Sequence, residues 1–289
     1  MKIYLNGKLV NKQEARISVF DHGFLYGDGA FEGIRSYNGL VFRLKEHIDR
    51  LYETLHTLMI DPRIPKKQMS DAVVATLKAN KIKDGYIRLI ISRGDGDLGL
   101  DPRKCYGIPN VIIITDKITL YPDELYHKGM AIITVPTTKN HVNALDPELK
   151  SLNYLNNILA KIEAANSGYM EAIMLDSNGY VAECTGDNIF IIKDGVLCTP
   201  ASGRLKGVTR QTILDIAAKL KIKTQEGLMS RHQVYNSDEC FLTGTAAELI
   251  PVVKVDGRTI GSGKPGAMTL KLLKAFKEVT KKDGVRYAV

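Results

Sequence analysis

Tryptophan is absent from the 289 residues, and Phe, Trp and Tyr together make up only 7%. A nucleic-acid platform interleaves basic with aromatic residues, and no such stretch occurs, which leaves a basic nucleic-acid-binding protein as a remote alternative. Cysteine is sparse: Cys105, Cys184, Cys198 and Cys240 lie far apart with no C-x-x-C pair. That pattern excludes a disulfide framework and a zinc cluster, and fits free thiols in a reducing cytoplasm. The six histidines (22, 47, 56, 127, 141 and 232) never fall within four residues of one another, so no local helical metal site is expected. No apolar run approaches the roughly 20 residues that span a bilayer. The first residues, Met1-Lys2-Ile3-Tyr4-Leu5-Asn6-Gly7, lack the apolar core of a signal peptide. A soluble, cytoplasmic protein without metal is the expectation.

What is present is ordinary globular material, 44% hydrophobic and 25% charged. The length is generous for one core, so two lobes are expected. Forty Lys and Arg against 32 Asp and Glu leave +8, a balance that suits anionic ligands. Residues 270–286 hold six cations and two anions, so half of the excess reads as a solvated face.

Asn6-Gly7 and Asn38-Gly39 sit between apolar runs and read as hairpin turns. From Leu44 the period changes: Ile48, Leu51, Tyr52, Leu55 and Met59 share one helical face. A second helix is expected over 66–80, with strands over 86–92 and 111–115. Residues 117–130 have weak periodicity. The expected division is therefore a small α/β domain over 1–118, a linker over 119–130 and a large domain over 131–289. The large domain opens with a strand over 131–135 and a helix over 152–166. Hairpins turn at Ser177-Asn178-Gly179, Asp194-Gly195 and Asp256-Gly257. Helices near Thr209 and over 267–280 complete it, with strands over 239–242 and 251–255. Hairpins mixed with helices, without βαβ alternation, indicate an α+β fold.

Gly94-Asp95-Gly96-Asp97-Leu98-Gly99 has the glycine spacing of a dinucleotide loop. Pro102 and Pro109 leave no room for the helix that such a loop must open, so it reads as a plain loop. Lys150 is flanked by Leu149 and Leu152 before the helix over 152–166. A helix N-terminus disfavours a cation, which favours a nucleophilic amine over a solvated surface lysine. Gly207-Val208-Thr209-Arg210 opens another helix and offers backbone N–H groups to an anion, or is simply capped by Thr209. Thr243-Gly244-Thr245-Ala246-Ala247 is either close packing or a second set of N–H groups. Glu183 lies on an apolar strand, where a carboxylate must be paired. Arg50 borders the apolar face of its helix, either reaching inward to an anion or pairing with Glu46.

Taken in order, these segments resemble the pyridoxal-phosphate enzymes of fold type IV, specifically the branched-chain amino-acid aminotransferases. The markers are residues 26–35 (YGDGAFEGIR), 46–51 (EHIDRL), 150–154 (KSLNY), 183–190 (ECTGDNIF), 207–210 (GVTR) and 244–248 (GTAAE). The resemblance implies a two-domain fold, a small α/β N-terminal domain and a larger pseudo-barrel C-terminal domain. It implies pyridoxal 5'-phosphate as cofactor, with Lys150 covalently bonded to it and shuttling protons. Glu183 would face the pyridine nitrogen, and Arg50, Val208, Thr209 and Thr245 would bind the phosphate. Tyr154 would bond the ring oxygen, Leu205 would pack on the ring, and Gly186 would lie close beside it.

For the substrate, Tyr26, Phe31, Gly33 and Tyr86 match positions of an apolar pocket. Arg88 matches a carboxylate-binding position, and Thr245 and Ala246 offer N–H groups to the α-carboxylate. The reaction implied is transamination between leucine, isoleucine or valine and 2-oxoglutarate, in a homodimer or higher homo-oligomer. D-amino-acid aminotransferase and aminodeoxychorismate lyase share the cofactor residues and remain alternatives. Four features depart from the family pattern: Cys184 in place of glycine, narrowing the space beside the cofactor; a short loop over 199–206; Leu89 after Arg88; and Lys139-Asn140 where arginines are common.

Overall fold

The two-residue turns form as their residues dictate. Asn6-Gly7, Asn38-Gly39, Asp194-Gly195 and Asp256-Gly257 all adopt positive φ at both positions, the conformation that matches the twist of a tight hairpin. The computed structural model describes residues 1–117 and 121–288. Its chain divides into two compact units, one of Met1–Ile118, Leu149–Asn153 and Thr280–Val289, the other of Thr119–Glu148 and Tyr154–Val279.

The first unit is built on a seven-stranded sheet. In spatial order the strands are Gly284–Arg286, Leu40–Phe42, Gly29–Tyr37, Gly85–Ser92, Asn110–Asp116, Lys2–Leu5 and Lys8–Asn11. Every neighbouring pair is antiparallel. Ala30, Ile34, Ile87, Leu89 and Ile91 face one side and share a core with Ile48, Leu51 and Leu55 of the helix Leu44–Thr57 and with Met69, Val73 and Leu77 of the helix Lys66–Ala79. The other face is left to Phe31, Gly33 and Arg35 and their register partners Ile90, Arg88 and Tyr86. Leu149–Asn153 runs along the free edge of Gly29–Tyr37: Phe31 N–H donates to the Lys150 carbonyl (3.0 Å) and Leu152 N–H to the Gly29 carbonyl (2.9 Å).

The second unit carries a nine-stranded mixed sheet. Its order is Thr224–Gly227, Val196–Pro200, Asn188–Lys193, Glu239–Gly244, Glu248–Val255, Met130–Thr134, Ala172–Leu175 and Val181–Cys184, with Arg258–Thr259 paired beside Glu248–Val255. Its interior holds Ile132, Ile173, Ile189, Leu242, Ile250 and Val252. The helix Leu155–Asn166 turns Ala160 and Ala164 inward while Leu155, Ile158, Leu159 and Ile162 stay 47–67% exposed on its opposite side.

Three expectations are corrected. The helix that follows Lys150 begins at Leu155, not 152, because 150–152 is committed to pairing with Gly29–Phe31, so Lys150 lies beside a strand edge and not at a helix mouth. Within the segment read as a linker, Asp123–Lys128 forms a helix whose Tyr126 hydroxyl donates to the Ala247 carbonyl (3.0 Å). Residues 118–120, where the small domain was expected to end and that linker to start, and residue 289 lie outside the described residues. The first unit is discontinuous: 149–153 and the C-terminal strand Gly284–Arg286 return to it, which a division at one linker does not contain. Glycines 94, 96 and 99 lie in a loop that holds the 3-10 turn Pro102–Lys104 and isolated bridges of Asp95 to Asp21 and of Gly96 to Cys105, with no helix opening at the glycines.

Candidate active site

In the first unit the strand alternation places Phe31, Gly33, Tyr86 and Arg88 on the face away from the helices. The Phe31 ring carries two cations: the Lys150 amine lies 4.4 Å and the Arg88 guanidinium 4.6 Å from its centroid. Arg88 also lies 5.5 Å from the Tyr86 ring. Both contacts are within cation–π range, so one aromatic platform orients an amine and a guanidinium together. Gly33 is required by this arrangement, since a Cβ there would meet the Tyr86 hydroxyl at 2.1 Å. Tyr26 is 38% exposed and donates its hydroxyl to the Leu98 carbonyl.

Arg50 reaches inward, but to a protein carboxylate. Its Nε and Nη2 donate to Glu32 at 2.7 Å each, and His47 Nδ1 donates to the same Oε2 at 2.7 Å. Glu46, the expected surface partner, pairs with Arg43 (3.3 Å) instead. Burial opposes ionisation of Glu32, yet Arg50 and His47 outweigh it and hold the carboxyl down at about 2. Burial pushes His47 below its ordinary value against the pull of Glu32, which keeps the imidazole neutral and Arg50 the charged partner. Glu32 and His47 were not singled out from sequence. The available signal was Glu32 alternating with Ala30 and Ile34 on the core side, where a carboxylate needs a partner.

In the second unit Glu183 is 6% exposed. Its Oε1 lies 2.6 Å from Lys139 Nζ, and its Oε2 accepts from Asn188 Nδ2 and Leu205 N–H at 3.0 Å each. Asn188 Nδ2 also donates to the Leu205 carbonyl (3.0 Å), tying this carboxylate to the loop before Val208. Gly207 permits the approach, because a Cβ there would meet Asn188 Oδ1 at 2.1 Å. The helix Val208–Lys219 is capped by Gly207, not Thr209, and among the described residues it has no side-chain cap. Thr209 is buried inside the first turn.

Gly186 opens onto space, with nothing within 4 Å of where a Cβ would stand. Leu205, Thr245 and Ala246 are half-buried, the last two in the turn between Glu239–Gly244 and Glu248–Val255, and Tyr154 is the N-cap residue of Leu155–Asn166. Cys184, expected to narrow the space beside a cofactor, is fully buried in the hydrophobic core. Sequence reading noted Lys139 only as a departure; nothing marked it as the partner of Glu183.

Comparison with known proteins places these residues in context. The amino-transferase class IV family matches residues 29–255. A Methanocaldococcus jannaschii protein, provisionally named a branched-chain-amino-acid aminotransferase, is 50% identical over 99% of both chains. The branched-chain-amino-acid aminotransferase of Pseudomonas aeruginosa is 40% identical over 95% of this chain and 91% of its own. Among solved structures, the branched-chain amino acid aminotransferase of Escherichia coli superposes with a TM-score of 0.94 at 34% identity, covering 98% of this chain and 96% of that one. The T.th. branched-chain amino acid aminotransferase with pyridoxamine 5'-phosphate gives 0.93 at 35% identity, covering 97% and 94%.

Proposed function

The chain belongs to the class IV aminotransferases, and from that membership we propose that it transfers the amino group between branched-chain L-amino acids and 2-oxoglutarate with pyridoxal 5'-phosphate as cofactor. The fold is that of the fold type IV aminotransferases, α+β with a curled sheet in the second unit. The single observation that carries the substrate reading is the Phe31 ring flanked by Lys150 and Arg88. One apolar wall there can receive an aliphatic side chain, and one guanidinium can receive the carboxylate of a dicarboxylic substrate.

The residues fit the cofactor. A buried carboxylate, Glu183, suits a protonated pyridine nitrogen, and a helix start without a capping side chain suits a phosphate. When bound, pyridoxal phosphate supplies an electron sink and an aldehyde whose oxygen is exchanged for the amino group. Lys150 Nζ would hold the cofactor and would carry the proton that leaves the substrate α-carbon, delivering it to a different carbon. Glu183 would bond the ring nitrogen. Val208 and Thr209 N–H groups, Arg50 and Thr245 would hold the phosphate. Tyr154 would bond the ring oxygen, Leu205 would cover the ring, and the open turn at Gly186 would leave it room. Phe31, Gly33, Tyr86 and Tyr26 shape the side-chain pocket, with Arg88 and the Thr245 and Ala246 N–H groups taking the carboxylates.

The active form is a homodimer or higher homo-oligomer, which the exposed apolar face of Leu155–Asn166 supports. A cytoplasmic location is supported by four cysteines without a disulfide, and among the described residues no helix is long and apolar enough to cross a membrane.

The test is a spectral titration of the holoenzyme with L-leucine, L-glutamate and D-alanine. Changes with both L-substrates and none with D-alanine are expected; a response to D-alanine alone would transfer the protein to the D-specific class. Lys150→Ala should abolish turnover while part of the cofactor binding survives, and normal turnover by that variant would end the reading.

A further inference from the structure

Lys139 stands out because it is almost as buried as the carboxylate it meets. The Lys139 and Glu183 side chains are each 7% exposed, and Nζ lies 2.6 Å from Oε1. An ammonium is seldom sequestered to this degree without a specific counter-charge, since desolvating it is costly. The chain around it is pinned. Lys139 N–H donates to the Leu175 carbonyl (2.8 Å), the Thr138 carbonyl accepts from Asn156 Nδ2 (2.9 Å), and the Thr137 hydroxyl donates to Glu163. Leu175 ends the strand Ala172–Leu175, in which Met174 is the register partner of Glu183. The approach of Lys139 to Glu183 is therefore set by backbone pairing and not by a flexible tether.

The carboxylate is restrained from both sides, with the ammonium on Oε1 and the Asn188 amide and Leu205 N–H on Oε2. Such an arrangement fixes the plane of the carboxylate and neutralises its charge within the unit. Other ionisable groups feel the Glu183 charge, but they are engaged elsewhere. Arg204 donates to the Pro200 and Ala201 carbonyls, Asp187 accepts from the Tyr121 hydroxyl, and the Cys184 thiol lies in the core.

We infer that Lys139 is a positioning residue for transamination: its buried ammonium pairs with Glu183 and holds the carboxylate in the one orientation that serves the ring nitrogen of the bound cofactor. The inference rests on the proposed role of Glu183. It assigns Lys139 to the cofactor's electronics and not to the substrate's carboxylate. Removing the ammonium leaves a buried carboxylate without its counter-charge, which weakens the ring nitrogen's hold on its proton and so the electron sink.

The test uses holoenzyme reconstituted with pyridoxal phosphate, wild type against Lys139→Met and Lys139→Arg, with absorption recorded across pH and steady-state kinetics with L-leucine and 2-oxoglutarate. For Lys139→Met the pH midpoint of the bound cofactor's visible band should rise by about one unit. Its kcat should fall at least about tenfold, a loss of alignment at the reacting centre, while KM for 2-oxoglutarate changes little. Lys139→Arg, which keeps the charge, should restore the midpoint. An unmoved midpoint with a raised KM for 2-oxoglutarate would make Lys139 a substrate gate and overturn the inference, as would wild-type kcat and midpoint in Lys139→Met. If Lys139→Met does not fold, Lys139→Gln against Lys139→Arg decides by the same two readouts. Wild-type protein that neither binds the cofactor nor transaminates would defeat the functional reading itself, an outcome distinct from any difference among the variants.

Discussion

Glu32 shows how a single buried residue sets a cost and a pH window. Its carboxyl is held at about 2 against an ordinary 4.5, because Arg50 and His47 overcome the penalty of burial. A depressed folded value means that the stabilisation is present above pH 4.5 and is lost as pH falls from 4.5 toward 2. That contribution is on the order of 3 kcal/mol. Glu32→Gln should cost about 3–5 kcal/mol at neutral pH, since it strands the buried Arg50 charge. Urea unfolding across pH checks this: the deficit should shrink below pH 4.5, and an unchanged deficit at pH 3 would show that packing and not charge is responsible. The triad was not legible beforehand. Glu32, His47 and Arg50 are spread over 19 residues, and only the pairing of a strand with a helix face brings them together. Glu183 was more legible, since an acid on an apolar strand demands a partner, but the identity of that partner was not.

At the scale of elements, the helix Val208–Lys219 carries the clearest prediction. Its cap residue, Gly207, has φ −63° and ψ 132°, a conformation that accepts a following proline. Val208→Pro therefore removes one N–H at the first helical position without breaking the helix. Cofactor affinity should fall roughly tenfold, the loss of one charge-assisted hydrogen bond, with helical content by circular dichroism unchanged. Full affinity would show that this N–H does not hold the phosphate. Element existence was readable wherever local chemistry decides it. The Asn-Gly and Asp-Gly turns and the helix Ala267–Thr280 appear where pattern and turn residues placed them. The start of the helix after Lys150 was misjudged, because residues 150–152 obey a strand edge remote in sequence and not their own propensity.

For the molecule as a whole, assembly and pH response follow from what each unit leaves exposed or buries. Leu155, Ile158, Leu159 and Ile162 make one apolar stripe on a helix that turns its alanines inward. Ile158→Asp should shift the sedimentation coefficient to that of a monomer; an oligomer unaffected by the charge would place the interface elsewhere. Asp187 acts on stability in the opposite sense to Glu32. Burial and the neighbouring Glu171 carboxylate push its acid up to about 7, so the folded chain retains that proton and loses stability as pH rises from 3.8 through 7. Asp187→Asn keeps an acceptor for the Tyr121 hydroxyl and removes the ionisation. It should raise the melting temperature relative to wild type at pH 8 but not at pH 4, and an equal change at both would contradict the assignment.

The sequence by itself determined the class of the molecule. Its short-range signals, hydrophobic period, turn pairs and six ordered motifs, depend on neighbours within a few residues, and they carried the α+β reading and the family resemblance. Tertiary structure alone decided the electrostatic partners and the boundaries of the units. Burial removes water as a competing partner, so Arg50 must choose Glu32 and Lys139 must choose Glu183 only once the sheets close around them. The same holds for the pairing of Leu149–Asn153 and Gly284–Arg286 with the first unit. Strand pairing there satisfies open edges with segments far along the chain, a demand that no local pattern records.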